Sequence, residues 1–348
     1  MLVLGATRVP AGHESCSAPP PRVYHPSVLP LLILHVLVGG LLVWVGAELL
    51  VRGSSRLAVR LGLPPMLIGA TIVAFGTSAP EAVVSLTAHV QDRAGMSFGN
   101  ILGSNVCNIG LVLGITAFLL PMRVREQTLR RELPLVIVAQ LLVVLLALNG
   151  TLSLVDGVVM LAVFFGVYGY LTLDGLRLRG QPTSEAAPTE QGHAARNVMF
   201  TVGGLALLIF GANVFVDGAA GIATRLGMSE TLVGATIAAF GTSLPELATV
   251  LLAALRGQLE ISLGTLLGSN LFNALLIGGS LATMGDVPTG AEELWHAWWM
   301  VGVTALIWPL SRIGRLFEPG RGSHINRLGG LALIAAYVAY LVGSFVSE

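Results

Sequence analysis

Ten long apolar runs constrain this chain more than any other feature of its sequence. Each run approaches or exceeds the roughly 20 residues that a helix needs to cross the hydrocarbon core of a bilayer. In lipid, only helices and closed barrels satisfy every backbone hydrogen bond, and these runs lack the alternation of a barrel strand. The sequence therefore predicts an all-α polytopic membrane protein with ten transmembrane helices. The runs cover 31–51, 65–88, 97–120, 133–149, 153–174, 198–220, 230–254, 261–283, 295–310 and 326–346.

The composition supports a membrane protein and excludes several other classes. Charged residues make up 11% of the chain, whereas soluble domains carry roughly 25%. The 19 basic and 19 acidic residues give a net charge of zero, so the basic surface of a nucleic-acid-binding protein is absent. The 43 glycines favour close helix packing in lipid. Two cysteines, Cys16 and Cys107, are too few for a disulfide framework.

Two segments differ from the apolar remainder. Residues 1–29 are rich in proline and polar groups and lack the apolar core of a signal peptide, so we expect a disordered tail. Residues 176–197 contain Pro182 and Pro188 among polar residues, which indicates a flexible linker too short to form a domain. These segments leave two halves, 30–175 and 198–348.

Arginine placement predicts the orientation of the chain. If the N-terminus is outside, 15 of the 19 arginines fall in cytoplasmic loops and four fall outside. Cytoplasmic loops carry the excess of basic residues in membrane proteins. We therefore expect a multi-pass protein of the cell (inner) membrane, with both termini outside and the linker over 176–197 in the cytoplasm.

An internal repeat links the two halves. Residues 69–81 read GATIVAFGTSAPE and residues 234–246 read GATIAAFGTSLPE, so 11 of 13 positions match at an offset of 165. The same offset aligns Gly103-Ser104-Asn105 with Gly268-Ser269-Asn270. Each half contains five apolar runs, and an odd number means that the second half enters the membrane from the opposite side. The sequence thus predicts two inverted five-helix repeats, a design that places substrate sites near the midplane.

The repeated segments carry carboxylates at membrane depth. Glu81 and Glu246 lie inside apolar runs with no basic residue in the helices to pair with them, and a charge at the bilayer centre costs about 2.5–3.5 kcal/mol. The prolines that precede them, Pro80 and Pro245, free backbone carbonyls when they lie inside a helix. Thr77 and Glu81 are spaced i, i+4, so we expect them to share a helix face.

Oxygen ligands accompany the carboxylates in both halves. Carboxylate, hydroxyl, amide and carbonyl oxygens are the ligands of hard cations such as calcium. No cluster of histidine or cysteine accompanies them, which disfavours zinc and copper. For Gly103 and Gly268 we expect a role in packing, and for Glu48 an interfacial ion pair with Arg52 at i+4. The oxygen-bearing side chains are Thr77, Ser78, Ser104 and Asn108 in the first half, and Thr242, Ser243, Ser269 and Asn273 in the second.

These motifs resemble the calcium/cation antiporter superfamily, specifically the prokaryotic sodium/calcium exchanger type, in which they are called α-repeats. The segments that carry the resemblance are 76–81 with 103–108 and 241–246 with 268–273, and the architecture extends over about 30–346. The resemblance implies export of calcium in exchange for sodium by alternating access. It implies no enzymatic activity and no cofactor, with Ca²⁺ and Na⁺ as the transported ions and the lipid bilayer as the partner.

The resemblance also implies a role for each residue of the motifs. Glu81 and Glu246 would be the central ligands, and the backbone carbonyls of Ala74 and Ala239 would contribute to outlying sodium sites. The archaeal exchanger type carries Asp at the position of Asn273, so this chain has one titratable group fewer. Hydroxyl or backbone oxygens would come from Thr77, Ser78, Thr242, Ser243, Ser104 and Ser269, and Asn108 and Asn273 would complete the ring.

Three other functions are compatible with parts of this pattern. A proton/calcium antiporter is the nearest alternative, because the same carboxylates bind protons. A cation channel is less favoured, since inverted repeats with broken helices indicate a carrier. An intramembrane hydrolase would need a base beside its nucleophile, and the repeats place no histidine or lysine beside Ser78 or Ser243.

Overall fold

The computed structural model describes residues 28–177, 193–226, 228, 239–317 and 322–347, which are folded almost entirely into helices. Three expectations fall wholly or partly outside these residues: the N-terminal tail over 1–29, the linker over 176–197 and the start of the second motif at 234–238. Every apolar run identified in the sequence contains a helix in the described part of the chain.

The helices and four short strands follow one another along the chain. The helices are α1 (Val28–Leu61), α2 (Pro65–Thr77), α3 (Ala79–Val90), α4 (Gly95–Leu119), α5 (Leu133–Ala147), α6 (Leu154–Arg177), α7 (Ala194–Arg225), α8 (Ala239–Thr242), α9 (Leu244–Leu255), α10 (Leu259–Met284), α11 (Ala291–Phe317) and α12 (Arg327–Ser347). The strands are β1 (Met122–Arg123), β2 (Thr151–Leu152), β3 (Val287–Pro288) and β4 (His324–Ile325).

The helices are long and apolar enough for a protein that crosses a membrane several times. Within the described residues, six helices meet the length and hydropathy of a membrane span, and the bent pair α2–α3 would make a seventh. The helix α5 has 15 residues, and a turn of π-helix at Thr128–Glu132 directly precedes it. The helix pair α8–α9 begins at the edge of the described residues.

Both prolines of the repeated motif begin a helix instead of kinking one. The helix α2 ends at Thr77, Ser78 has a ψ angle of 1°, and α3 starts at Ala79 with Pro80 in its first turn. Proline is tolerated there because the first amides of a helix have no intrahelical acceptor. The axis bends by 45° at this break. The expectation that Thr77 and Glu81 share one helix face is therefore wrong, because they belong to different helices.

The helices α4 and α10 form the centre of the molecule. Buried residues make up 78% of the most apolar stretch of α4 and 94% of that of α10, against 17% in α1. The peripheral helices α1, α6, α7 and α12 instead expose large apolar side chains such as Leu37, Phe165 and Val202. Lipid-facing helices have this property, because the surrounding tails are themselves apolar.

The short strands mark the two ends of the bundle. The strand β1 pairs antiparallel with β4, and β2 pairs antiparallel with β3. Because β1 precedes α5 and β2 follows it, the two pairs lie at opposite ends of α5. Met122 of β1 and Val287 of β3 are 165 residues apart, the offset of the repeat. Equivalent segments of the two halves therefore lie at opposite ends of the structure.

Ion pairs hold the end that contains β1 and β4. Both oxygens of Glu126 accept hydrogen bonds of 3.0 Å from Arg312, and the hydroxyl of Ser323 donates to it at 2.8 Å. The Ser323 hydrogen bond, followed by the charges of Arg312 and Arg130, lowers the pKa of Glu126. Arg125 also pairs with Glu260 at 2.7 Å. This end of the bundle is rich in arginine.

Glycines bring α1 and α7 into backbone contact. A Cβ atom added to Gly204 would lie 2.5 Å from the amide nitrogen of Leu50 and 2.8 Å from the carbonyl oxygen of Gly46. A Cβ atom added to Gly211 would lie 2.7 Å from the Cβ atom of Leu42 and 2.7 Å from the amide nitrogen of Val43. The preference of membrane helices for small residues at their interfaces has this geometric origin.

We predict that Gly204→Val destabilises the protein more than Gly203→Val does. The two glycines are adjacent in α7, but a Cβ on Gly203 would meet nothing within 4 Å. Both variants replace glycine by valine in the same helix, so the difference between their stabilities measures the clash with α1. Overpacking of this kind lowers the free energy of unfolding by about 1–3 kcal/mol. Melting temperatures of the purified variants in detergent measure it. Equal melting temperatures would show that α1 and α7 do not depend on this contact.

Candidate cation-binding site

The two buried glutamates lie where the broken helices meet the central helices. Glu81 is in the first turn of α3, and Glu246 is in the first turn of α9. Both side chains are fully buried. The start of a helix is a favourable place for a carboxylate, because the free amides there carry partial positive charge. None of the ion pairs in the described residues involves either glutamate.

Each carboxylate contacts a serine of the other motif. The hydroxyl of Ser78 donates to Oε1 of Glu246 at 3.4 Å, and the hydroxyl of Ser243 donates to Oε1 of Glu81 at 3.5 Å. These serines are the residues at which the two helices break. The distances are long for hydrogen bonds between oxygens, whose usual length is about 2.7–2.8 Å. The two motifs thus form one site, because the serine of each motif donates to the glutamate of the other. These hydrogen bonds are weak at such distances.

A second group of hydroxyls lies on the side of Glu246. The hydroxyls of Thr77 and Ser269 are 3.4 Å apart, and that of Ser269 is 3.5 Å from Oε1 of Glu246. Thr77 also donates to the carbonyl of Ala74 at 3.4 Å, and the amide of Ser78 donates to the same carbonyl at 3.0 Å. The carbonyl that the resemblance assigns to an outlying sodium site therefore already accepts two bonds within the chain.

Three other expected residues lie on α4 and α8. Ser104 is buried on α4, one turn before Asn108. Thr242 is half-buried at the end of α8, and Ala239 is the first residue of that helix. Glu48 forms the expected ion pair with Arg52 and a second one with Arg256, away from the buried glutamates.

Of the two glycines expected to serve helix packing, Gly268 has backbone of another helix directly against it and Gly103 does not. A Cβ on Gly268 would collide with the backbone of Ala70, so α10 and α2 touch there. A Cβ on Gly103 would lie 3.4 Å from the hydroxyl of Tyr340, and α4 is therefore less closely packed at this position.

Two asparagines of the repeated segments, for which the sequence predicts no ligand role, join the central helices. The side-chain amide of Asn105 donates to the backbone carbonyl of Asn270 at 3.2 Å, and that of Asn270 donates to the carbonyl of Asn105 at 3.2 Å. Asn108 also donates to the side-chain oxygen of Asn270 at 3.1 Å. The sequence contains one indication of this contact, because Asn105 and Asn270 are 165 residues apart and therefore equivalent in the two repeats.

Several buried oxygen atoms of the site have no hydrogen-bond partner among the described residues. Buried polar atoms almost always have one, because leaving them unpaired costs free energy. Asn108 and Asn273 lie in turns of π-helix, Asn108–Leu113 and Phe272–Ile277, and such turns are frequent at functional sites. The unpartnered oxygen atoms are Oε2 of Glu81, Oε2 of Glu246, Oδ1 of Asn108 and Oδ1 of Asn273.

These oxygens suit a hard cation better than a transition metal. Carboxylate and amide oxygens are ligands of calcium and sodium-like ions, and calcium takes six to eight oxygens in flexible geometry. In the part of the chain that the structure describes, no group of three or more His, Cys, Asp or Glu side chains could hold a metal ion. Among the residues expected at this site, only Glu81 and Glu246 have side chains that can carry negative charge.

The chain matches one protein family along most of its length. The family model for the sodium/calcium exchanger protein matches residues 31–173 and 197–346. CaxA of Alkalimonas amylolytica, which is named as a proposed antiporter, is 38% identical over 317 residues, covering 88% of this chain and 96% of that protein. The sodium/calcium exchanger MaX1 of Methanosarcina acetivorans is 28% identical over 353 residues, covering 90% of this chain and 98% of that protein.

A solved structure has the same fold. A structure of the sodium-calcium exchanger NCX_Mj, soaked without Na⁺ and Ca²⁺, aligns with a TM-score of 0.78 at 28% identity, and the alignment covers 90% of this chain and 99% of that one. The family consists of transporters, so an enzymatic role for the buried serines is set aside. The chain is a multi-pass membrane transporter and belongs to the sodium/calcium exchanger protein family.

Proposed function

We propose that this protein is a secondary active antiporter that exports Ca²⁺ in exchange for Na⁺ by alternating access. The observation that carries the proposal is the pair of fully buried glutamates, each with one oxygen that has no hydrogen-bond partner among the described residues. Two such carboxylates in an apolar bundle need positive charge, and no basic side chain among the described residues forms an ion pair with either of them. A cation that enters and leaves satisfies this need.

The proposed ligands come from both motifs. Glu81 and Glu246 bind the divalent ion from opposite sides, with the hydroxyls of Ser78 and Ser243 beside them. Thr77 and Ser269 supply the oxygens on the side of Glu246. The remaining proposed contributors are Ser104, Thr242, Asn108, Asn273 and the carbonyls of Ala74 and Ala239.

Charge balance favours exchange of calcium for a monovalent ion. Two carboxylates neutralise one Ca²⁺ or two Na⁺, and either load leaves the buried site without net charge. A third sodium would make the loaded site positive, and exchange of three for one would move one elementary charge. That charge is worth about 2.3 kcal/mol per 100 mV of membrane potential, which would help to drive calcium out of the cell.

We further propose that ten segments cross the membrane as two inverted five-helix repeats, 30–175 and 198–348, joined by the linker over 176–197. The position of the strands supports this arrangement, because the equivalent segments β1 and β3 lie at opposite ends of α5. The reciprocal contacts of Asn105 and Asn270 support it too, since equivalent residues of two repeats meet at a shared axis.

The proposed location is the inner membrane, with the end that contains β1 and β4 in the cytoplasm and both termini outside. Arg123, Arg125, Arg130 and Arg312 cluster at that end, and basic residues are enriched on the cytoplasmic side. The opposite end, at β2 and β3, carries the acidic residues Asp286, Glu292 and Glu293.

We predict that sodium-loaded proteoliposomes take up ⁴⁵Ca²⁺ and that Glu81→Gln or Glu246→Gln lowers the uptake by at least about tenfold. A tenfold loss corresponds to only about 1.4 kcal/mol, and removing one partner of a buried charge pair costs more than that. Glu292→Gln is the matched control, because its side chain is exposed at the surface. Melting temperatures check that each variant is folded.

Each other outcome of this assay points to a different function. Calcium uptake driven by a pH gradient, with no response to sodium, would replace sodium by protons as the coupling ion. Calcium movement that needs no counter-ion gradient would indicate a channel. Uptake at the wild-type rate in either folded glutamate variant would remove these residues from the ion site.

We predict that a cysteine at position 123 reacts only with reagent in the cytoplasm, and one at position 288 only with reagent outside. Arg123 and Pro288 are both exposed and lie 165 residues apart, so they occupy equivalent places in the two repeats. The variants are Arg123→Cys and Pro288→Cys in a Cys16→Ser background, and a membrane-impermeant maleimide added to cells or to inverted vesicles measures access. The reverse pattern would overturn the orientation, and labelling of both from one side would overturn the inversion.

We predict that Asn273→Asp retains calcium exchange but makes it more sensitive to pH between about 5 and 8. A third carboxylate beside two others favours a bound proton, because like charges so close repel one another. The transport rate of the variant should therefore fall more steeply than that of the wild type as the pH decreases. Calcium uptake measured against pH tests this.

The control for this variant is Asn149→Asp, which adds the same charge at an exposed position. If Asn273 serves only to hold the helices together, Asp lowers the melting temperature and leaves the pH profile of the remaining transport unchanged. That result in a folded variant would remove position 273 from the ion site.

A further inference from the structure

A tyrosine of α6 bonds to both of the helices that meet beside Glu246. The hydroxyl of Tyr168 donates to the carbonyl of Ala70 at 2.8 Å and lies 3.3 Å from the carbonyl of Gly268. Ala70 belongs to α2 and Gly268 to α10, so a single hydroxyl proton is shared between the two halves of the chain. Tyr168 lies outside the repeated motifs.

The carbonyl that Tyr168 reaches is made available by a turn of π-helix. In an α-helix the amide of Ala74 would bond to the carbonyl of Ala70, four residues earlier. In the turn Gly69–Val73, that amide instead donates to the carbonyls of Gly69 and Thr71. The amide of Ala74 therefore bypasses the carbonyl of Ala70, and the hydroxyl of Tyr168 donates to that carbonyl.

Aromatic contacts hold the tyrosine ring in place. The ring centroid of Tyr168 is 4.3 Å from that of Phe164 and 6.2 Å from that of Phe272. Phe272 also contacts Phe75 with centroids 5.0 Å apart, and Phe75 lies in the first motif. The ring of Tyr168 thus belongs to a cluster of aromatic rings from both halves of the chain. Packing within this cluster positions the hydroxyl of Tyr168.

The two carbonyls belong to the helices that carry Thr77 and Ser269 of the proposed ion site. Ser269 follows Gly268 directly, and Thr77 lies seven residues after Ala70, at the end of α2. The hydroxyls of Thr77 and Ser269 are 3.4 Å apart, and the latter is 3.5 Å from Glu246. The distance between α2 and α10 therefore decides whether these three oxygens can act on one ion.

We propose that Tyr168 is a positioning residue, which holds α2 against α10 at the spacing that brings Thr77 to Ser269 and Glu246. This inference rests on the proposed function of the site as a cation-binding site. The hydroxyl of Tyr168 bonds to backbone carbonyls and to none of the proposed ligand side chains, so it acts on ion affinity through the arrangement of other ligands. Loss of its hydroxyl should loosen the ligand set while leaving every proposed ligand in the chain.

The test is Tyr168→Phe, which removes the hydroxyl and keeps the ring. We expect the half-saturating calcium concentration for uptake to rise roughly two- to tenfold, the range that one hydrogen bond is worth, with a maximal rate within about a factor of two. The calcium-induced rise in melting temperature, which needs no transport, should shrink in the same variant. Tyr170→Phe is the matched control, because Tyr170 is on the same helix and exposed.

A second variant keeps the hydroxyl and removes the ring that holds it. Phe164→Leu should also raise the half-saturating concentration, by less than Tyr168→Phe does. If both variants lower only the folded yield or the melting temperature, at an unchanged half-saturating concentration, Tyr168 is merely structural and the inference is wrong.

Failure of the proposed function has a different signature. In that case the wild type itself shows no calcium-dependent stabilisation, and there is no ion site for Tyr168 to position. Calcium stabilisation of the wild type that Tyr168→Phe reproduces in full would overturn this inference alone.

Discussion

The burial of two carboxylates without a basic partner is the constraint on which the rest of the structure depends. Glu81 and Glu246 are fully buried in a bundle whose surroundings are apolar. A charge in such a place costs several kcal/mol unless other groups offset it. The chain offsets part of this cost by ending a helix just before each glutamate, so that each carboxylate lies at the start of a new helix. We propose that a bound cation offsets the remainder.

The helix breaks also bring the motifs together. Each motif has a serine at the junction between its two helices. The hydroxyl of that serine donates to the glutamate of the other motif. Neither half could form this site alone, since each glutamate contacts a serine of the other half. The amide contacts of Asn105 and Asn270 then fix the crossing of α4 and α10 beneath it.

Small residues allow these helices to approach so closely. Gly268 packs on the backbone of Ala70, and Gly204 on that of Leu50. Contacts of this kind depend on dispersion and on the absence of side chains, because lipid provides no hydrophobic drive between helices. The close packing at Gly268 also brings two carbonyls within reach of Tyr168, so helix packing and ligand placement are coupled at this point.

The sequence by itself determined the membrane class, the approximate helix positions, the repeat and the residues that the structure brings together at Glu81 and Glu246. It could do so because a bilayer admits few backbone structures, and because a repeat marks its own equivalent residues. Only the tertiary structure decided which hydroxyl faces which carboxylate. The sequence paired Thr77 with Glu81 by helical spacing, but the break at Ser78 redirects the chain, and Thr77 meets Ser269 instead.

The tertiary structure also decided where the two halves differ. Asn108 donates to Asn270, whereas both polar atoms of the Asn273 side chain have no partner among the described residues. The sequence presents these asparagines as equivalent, because spacing records only distance along the chain. Which of them is bonded depends on how α4 and α10 lie against each other. Tyr168 was missed for the same reason, since its partners are backbone carbonyls that carry no sequence signal.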